Sequence, residues 1–294
     1  MRTTGYAPCR MKLLITGAAG MLGTDVQAAA LAAGDEVVAL ARADLDISDP
    51  AAGESAVTAA VPDAVINCAA YTKVDAAEEH PDDAAAVNAT GAGNLAQATA
   101  AAGAWLVHVS TDYVFDGTKT SGPYVESDPT GPRSVYGSTK LLGEHAIAIA
   151  APESHTIVRS SWLFGNHGPC FPATMLRLGS QRDELNVVDD QRGSPTFTPD
   201  LAQALLTLAR TRVLGVTHVA GGGECTWFEF AREILRLGGS AMRVHPITTA
   251  EYPLPAQRPA YSVLRSERGG EVPVLRDWHE GLAQYMQGVE AEVS

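Results

Sequence analysis

A tyrosine and a lysine stand four residues apart in Val135-Tyr136-Gly137-Ser138-Thr139-Lys140. On a helix that spacing is one turn, so both side chains project from one face. A phenol ordinarily keeps its proton to near pH 10. A neighbouring ammonium favours the phenolate and makes the phenol a better proton donor or acceptor near neutrality. The same spacing also fits a half-buried tyrosine beside a solvated lysine, so the pair alone does not decide. Two other groups have chemical use. Ser110-Thr111 puts two hydroxyls at the end of an apolar run, where open α/β sheets bind ligands or where a turn is stabilised. Gly17-Ala18-Ala19-Gly20-Met21-Leu22-Gly23 is a GxxGxxG turn, not GxGxxG. There Gly17 permits a tight turn, Gly20 lets backbone approach a pyrophosphate, and Gly23 allows close helix–strand packing. A glycine turn that holds no ligand is the alternative.

The elements that must position these groups follow from pattern. Lys12 to Thr16 is a short apolar strand, and a helix-favouring stretch runs from Thr24 to about Ala33. Strand, glycine turn and helix together are the context of a dinucleotide site, with the helix N-terminus facing phosphate. Glu36 to Leu40 reads as a second, buried strand, Asp63 to Asn67 as a third and Trp105 to Val109 as a fourth. Helices are expected from Val87 to Ala101 and over the Tyr136 segment, which opens after Pro132 and Ser134. Thr156 to Ser161 reads as a fifth strand, then a helix near Pro199 to Thr211, a strand at Val216 to Ala220 and an amphipathic helix at Trp227 to Leu237. The proline-rich tail, with Pro246, Pro253, Pro255, Pro259 and Pro273, is expected to be loops and short helices. This alternation predicts an α/β fold, a doubly wound parallel sheet.

Beyond the second strand stands Arg42, and no carboxylate sits at the strand end itself. An acidic residue there would hold the adenosine ribose of NAD, whereas an arginine pairs with a 2′-phosphate. Arg42 thus points to NADPH, with a solvated loop arginine as the alternative. Asp44 and Asp46 follow closely and keep NADH open, and Asp46-Ile47 would also place a carboxylate by the adenine.

The chain has 294 residues, with 46% hydrophobic and 19% charged, the balance of a globular protein with a large core. Its net charge of -13 argues against a general binder of nucleic acid or anionic membrane. Cys9, Cys68, Cys170 and Cys225 are scattered without metal spacing, which suits reduced thiols in a cytoplasm. No apolar run reaches a membrane span, and residues 1–10 read as a polar extension, with Met11 a second candidate start.

Glycine turn, strand-end threonine and Tyr-x-x-x-Lys together resemble the extended short-chain dehydrogenase/reductase superfamily. The chain is more closely similar to its dTDP-4-dehydrorhamnose reductase family. The matching blocks are Asn67 to Asp75, Ser110 to Gly117, Tyr136 to Glu144, Arg159 to Gly165, Asp190 to Thr196 and Arg258 to Ser262. The resemblance implies a Rossmann-type domain over 11–160 and 195–220, with a smaller α+β substrate lobe over 161–194 and 221–294. It implies hydride transfer from NADPH to the C4 ketone of a dTDP-4-keto sugar. Thr111, Tyr136 and Lys140 would be catalytic. Tyr136 would protonate the oxygen, Lys140 would lower the tyrosine pKa and bond the nicotinamide ribose, and Thr111 would hold the ketone oxygen. Gly17, Gly20, Met21, Leu22 and Gly23 would cradle the pyrophosphate, with Asn67, Ala69, Ala70 and Tyr71 along the cofactor's path. Val74, Asp112, Trp162 and Arg258 would face the substrate: Trp162 stacking on thymine, Arg258 pairing with diphosphate, Asp112 fixing its loop. A core tryptophan and an ion-paired arginine are the alternatives for Trp162 and Arg258. No metal is expected; a homodimer is.

The chain departs from the family pattern at Cys170-Phe171-Pro172 and at Arg265. Two rival readings stay open. One is a sister reductase of another dTDP-4-keto-deoxysugar. The other is a non-catalytic regulatory subunit, since the family resembles the β subunit of methionine adenosyltransferase.

Overall fold

The computed structural model describes residues 10–293, so the extension expected over residues 1–10 lies outside it except for Arg10, as does Cys9. Strand β1 (Lys12–Thr16) carries Leu13, Leu14 and Ile15, none with exposed surface. A strand apolar on both faces needs helices on both sides. The chain supplies them in turn: α1 (Met21–Ala32), β2 (Glu36–Leu40), α2 (Pro50–Ala60), β3 (Ala64–Asn67), then α3 (Val74–Glu79), α4 (Pro81–Ala85), a π turn (Ala86–Gly91) and α5 (Ala92–Ala101). Strand β4 (Trp105–Thr111), α6 (Val135–Ala150) and β5 (His155–Ser160) complete the first part. Helix α6 starts where expected because the Ser134 hydroxyl accepts the Gly137 N–H as an N-cap.

Beyond β5 come β6 (Leu163–Phe164), α7 (Phe171–Gly179), β7 (Glu184–Val188), β8 (Arg192–Gly193), β9 (Thr196–Phe197), α8 (Thr198–Thr211) and β10 (Gly215–His218). The last elements are β11 (Cys225–Thr226), α9 (Trp227–Leu237), β12 (Arg243–Ile247) and α10 (Trp278–Val293). The main sheet runs β10-β5-β4-β3-β1-β2, with every pairing parallel. Strand order reverses between β1 and β3, and the carboxyl ends there open a crevice.

Two apolar layers clothe this sheet. Val26 and Ala30 of α1 with Leu201, Leu205 and Leu208 of α8 pack on Leu13, Ile15 and Val107. Val57, Leu95 and Ile147 from α2, α5 and α6 pack on Leu14, Val65 and Leu106. A separate aromatic core gathers Phe164, Phe197, Phe230, Trp278 and Tyr285 between α7, α9 and α10. Among the described residues no helix is long and apolar enough to cross a membrane, and Cys68, Cys170 and Cys225 are free.

Two expectations differ from the structure. Strand β2 is the sheet edge rather than a buried strand, with Glu36 and Ala39 exposed. Val37 and Val38 pack on opposite layers while only β1 pairs with the strand, and an apolar run does not reveal how many neighbours a strand has. The tail holds a strand and a 16-residue helix, not loops and short helices. Pro246 is tolerated in β12 because that strand pairs only with β7, leaving one edge that needs no donor. Past Pro273 the tail has no proline, and Trp278, Leu282, Tyr285 and Met286 recur at helical spacing into the aromatic core.

Candidate active site

The glycine turn lies in the β1/β3 crevice. Gly17 has φ +65, and a Cβ there would stand 2.6 Å from the Ala69 nitrogen. A Cβ on Gly23 would stand 2.3 Å from the Gly17 carbonyl oxygen. Both glycines are therefore required by the protein's own packing. Gly20 differs: it is exposed, and a Cβ would meet only the Gly17 oxygen at 3.2 Å. Its openness, with the unpaired N–H groups of the first turn of α1 beside it, fits a phosphate approaching backbone. Met21 opens that turn. The Leu22 side chain is core, 7% exposed, so the only group it offers a ligand is its N–H.

At the end of β2, Arg42 is exposed and makes no hydrogen bond or ion pair among the described residues. Asp46 instead accepts the Ser48 N–H and hydroxyl at 3.0 and 2.7 Å, which holds its carboxyl below the usual range. The Ile47 side chain is buried against Gly91. Ala69, Ala70 and Tyr71 line the crevice half-buried, and the Asn88 amide grips both backbone groups of Tyr71. The Asn67 side chain does not face the cofactor path as expected. It is 1% exposed and committed inward, to Thr16, Ala69 and His108.

Tyr136 stands in the first turn of α6, half-buried, with Tyr113 edge-on at 5.5 Å. The structure reverses the expected electrostatics. Burial pushes the phenol up to about 12, offset in part by a hydrogen bond with the Thr111 hydroxyl, and Asp112 raises it further. Lys140, one turn on, does not turn its ammonium to the phenol. It is 1% exposed, and its Nζ donates to the Val109 carbonyl at 2.7 Å and lies 3.1 Å from His108 Nε2. Burial pushes Lys140 down to about 8, against the pull of Glu144 and Cys68. The expectation took a shared helix face to bring the ammonium to the phenol. Helix α6 instead packs its lysine face onto β4, where the amine is desolvated.

Thr111 ends β4, its hydroxyl accepting the Tyr113 N–H at 3.2 Å and donating to Asp112 Oδ1 at 3.1 Å. Asp112 is 2% exposed, and burial pushes it up to about 6 although the Ser262 and Thr111 hydroxyls pull it down. Its Oδ2 and the Ser262 hydroxyl face each other without a well-aligned hydrogen bond. A carboxyl raised on folding binds more protons in the folded than in the unfolded chain between about pH 4 and pH 6. Stability from this group is therefore lost as pH rises through that window and stays lost above it. Asp112→Asn should accordingly raise the midpoint of thermal unfolding at pH 8 by several degrees, and by much less at pH 4. Equal shifts at both pH values would show that Asp112 is not the buried charge described.

Beneath these groups lies a buried ion pair. The Arg159 guanidinium meets both oxygens of Glu144 at 3.0 and 2.6 Å, and the Ser110 hydroxyl donates to Glu144 at 2.5 Å. Leu106, His108 and Ser110 alternate along β4 on the face toward α6. Period-two reading of that strand was the signal that could have singled out His108, which the sequence analysis passed over as part of an apolar run. Glu144 and Arg159 carried the family match without a role.

On the substrate side, Trp162 has φ +48 and stacks on Trp227 with centroids 3.5 Å apart and planes 6° from parallel. One indole face is thus already covered, and its edge presses on Gly193, where a Cβ would stand 2.4 Å away. Cys170-Phe171-Pro172 opens α7 and lays Phe171 against Trp227. Arg258 pairs with Asp75 rather than presenting a free fork: its two terminal nitrogens meet the carboxylate at 2.6 and 2.7 Å. This ties the 256–258 loop to α3, whose first residue, Val74, is half-buried. The Asp75 carboxylate occupies one edge of the guanidinium, the ion-paired alternative expected for Arg258, and leaves Nε and one Nη2 hydrogen uncommitted. Among the described residues no three His, Cys, Asp or Glu side chains gather as metal ligands.

With this geometry in hand, the comparisons with known proteins converge. The family model described as the RmlD substrate binding domain matches residues 11–291. The dTDP-4-dehydrorhamnose reductase of Streptomyces griseus is 46% identical over 283 residues, covering 94% of this chain and 93% of that one. The solved dTDP-4-dehydrorhamnose reductase of Clostridium acetobutylicum superposes with a TM-score of 0.92 at 43% identity, covering 95% of this chain and 100% of that one. That of Bacillus anthracis, solved in complex with NADP, gives 0.91 at 37% identity, covering 95% and 99%. The chain belongs to the RmlD substrate binding domain family, that of the dTDP-4-dehydrorhamnose reductases.

Proposed function

We propose that this chain is an NADPH-dependent reductase that converts dTDP-4-dehydro-L-rhamnose to dTDP-L-rhamnose. The observation that carries the reading is one crevice. An open Gly20 at a helix N-terminus, an unpaired Arg42 and the Thr111–Tyr136 hydroxyl pair all lie at carboxyl ends of one parallel sheet. Bound NADPH supplies the hydride to C4 of the sugar. The chain's residues do the rest. Backbone N–H groups at Met21 and Leu22 hold the pyrophosphate beside the open Gly20, whose own N–H is taken by the Gly17 carbonyl, and Arg42 pairs with the 2′-phosphate. Thr111 and Tyr136 aim hydroxyls at the ketone oxygen, and Tyr136 gives that oxygen its proton as negative charge develops. Lys140 stands beneath them to bond the ribose and to stabilise the phenolate that is left. Trp162 and Val74 border the nucleotide and sugar. Asp112, buried and bonded to Thr111, sets that hydroxyl rather than touching substrate.

The two cores support the division read from the sequence, residues 11–160 with 195–220 for the cofactor and 161–194 with 221–294 for the sugar. The proposed catalytic set lies within one chain, so the chemistry needs no second copy. A homodimer remains our expectation, which light scattering checks.

The decisive assay follows reduced-nicotinamide absorbance with protein, NADPH and dTDP-4-dehydrorhamnose, against a no-sugar blank. Oxidation that requires the sugar and yields dTDP-L-rhamnose supports the reading. A thermal shift with NADPH but no turnover of this sugar would redirect it to another dTDP-4-keto-deoxysugar. Arg42→Ala should cut the preference for NADPH over NADH about tenfold or more, since a charged hydrogen bond of this kind is worth about 1.5–3 kcal/mol. An unchanged preference removes Arg42 from the 2′-phosphate.

A further inference from the structure

His108 has no part in the reaction as derived so far, yet it is 1% exposed and touches Lys140. Its ring lies between two polar side chains, with Asn67 Nδ2 at 2.9 Å from Nδ1 and Lys140 Nζ at 3.1 Å from Nε2. The proton positions in this chain can be worked out from its fixed end. The backbone N–H of Ala69 can only donate, and it meets Asn67 Oδ1 at 3.0 Å. That contact orients the amide, so Nδ2 is the group facing the ring, and Nδ2 can only donate. His108 Nδ1 must therefore accept, and it carries no hydrogen. Burial pushes the ring well below the usual histidine range, so it is neutral and its one proton is on Nε2. That N–H points at Lys140 Nζ. An ammonium has three N–H groups and no lone pair, so it cannot accept. A free amine can: it takes the His108 hydrogen on its lone pair, donates one N–H to the Val109 carbonyl, and keeps one N–H in reserve.

We propose that His108 is a positioning residue for the reductase: its tautomer, fixed by Asn67, favours the free amine of Lys140 over its ammonium in the cofactor-free protein. The inference rests on the reading above only in assigning Lys140 to the reaction; the proton arrangement stands on the hydrogen bonds alone. The surroundings agree. Among the described residues Lys140 pairs with no carboxylate. Glu144 on its own helix is the carboxylate that acts on it, and that carboxylate is taken up by Arg159 and Ser110. Cys68 at the end of β3 acts on it as well, but burial pushes that thiol up to about 12, so it is uncharged. The π turn and α5, which also pack on α6, carry no titratable side chain, whereas α3 and α4 pack on it with Asp75, Glu78, Glu79, Asp82 and Asp83; Asp75 is taken by Arg258, Glu78 accepts the Val135 N–H, and none of the five is among the groups acting on Lys140. Asp112 and Tyr113, from the turn after β4, act on Tyr136.

The arrangement ties catalysis to pH. A free amine does not favour the Tyr136 phenolate by charge, so the active form is the one in which Lys140 has taken up a proton and turned from His108. Each protonation must break the His108 contact, so His108 moves the alkaline limit of activity downward. In His108→Gln the side-chain oxygen accepts from an ammonium, and the limit relaxes upward.

Two measurements test this. In protein labelled with nitrogen-15 in histidine, the His108 ring, assigned by its loss in His108→Gln, should show hydrogen on Nε2 and none on Nδ1 at pH 7.5 without cofactor. Hydrogen on Nδ1 overturns the proposal whether or not the sugar is turned over. The alkaline limb of kcat/KM for the keto sugar should move up by about one pH unit in His108→Gln, because that limb reports free-enzyme groups. A limb that stays in place, with only stability lowered, makes His108 a packing residue and overturns the positioning role. An Nε2 proton in a protein that fails to turn over any dTDP-4-keto sugar leaves the proton arrangement standing and removes the reductase reading instead.

Discussion

Tyr136→Phe should lower turnover about 10²- to 10⁴-fold, the range expected when a positioned proton donor is removed. NADPH binding and the thermal midpoint should stay near those of the parent. The phenol makes one hydrogen bond, to Thr111, worth about 1 kcal/mol, while its ring keeps the edge contact with Tyr113. The separation of large catalytic loss from small structural loss is the diagnostic. Burial holds the phenol near 12, so Tyr136 is fully protonated across the neutral range and can donate. Becoming phenolate requires help that arrives only when Lys140 carries charge. Single-turnover absorbance with saturating NADPH reads the step directly. Near-full turnover in the variant would mean that another group protonates the sugar oxygen, and Thr111 would be the next to replace.

Glu144→Leu should destabilise the fold by about 3–5 kcal/mol, because it leaves Arg159 charged, buried and unpaired. Both partners are nearly inaccessible, with side chains 3% and 5% exposed, so water cannot take over. The loss spreads beyond the pair: the Ser110 hydroxyl loses its acceptor on the strand that ends in Thr111. Adding Arg159→Met should recover most of the stability, since a buried pair replaced by apolar side chains of similar volume costs little. Urea unfolding of the single and double variants measures both. If the double variant is as unstable as the single, the pair is not the source of the effect. Activity recovered only in part would mark Ser110 and Glu144 as setting the Thr111 geometry.

Much of this molecule was legible in its sequence for definite reasons. Strand β1 and helix α9 begin and end where the apolar pattern placed them, because Leu13 to Ile15 are buried on both faces of the sheet and Phe230, Ala231 and Ile234 bury one helix face in the aromatic core. The start of α6 was legible because Ser134 is a local cap, and the turn at Gly17 because its φ suits glycine. Such features depend on residues within a turn or two of each other. The tail was misread because proline counts report where helix is excluded locally, and the aromatic core that calls α10 into being comes from residues far upstream.

The sequence by itself determined which groups are present and in what periodic order: the glycines, Thr111, and Tyr136 one turn before Lys140. Only the tertiary structure decided their chemical state. A charge feels the dielectric and the partners around it, and both come from distant segments. Lys140 meets His108 and Val109 on β4, Arg258 meets Asp75 across 183 residues, and Trp162 meets Trp227. The i, i+4 spacing fixed the side of the helix, whereas burial of that side against β4 turned the lysine from the phenol to His108 and Val109 and pushed it below its ordinary range.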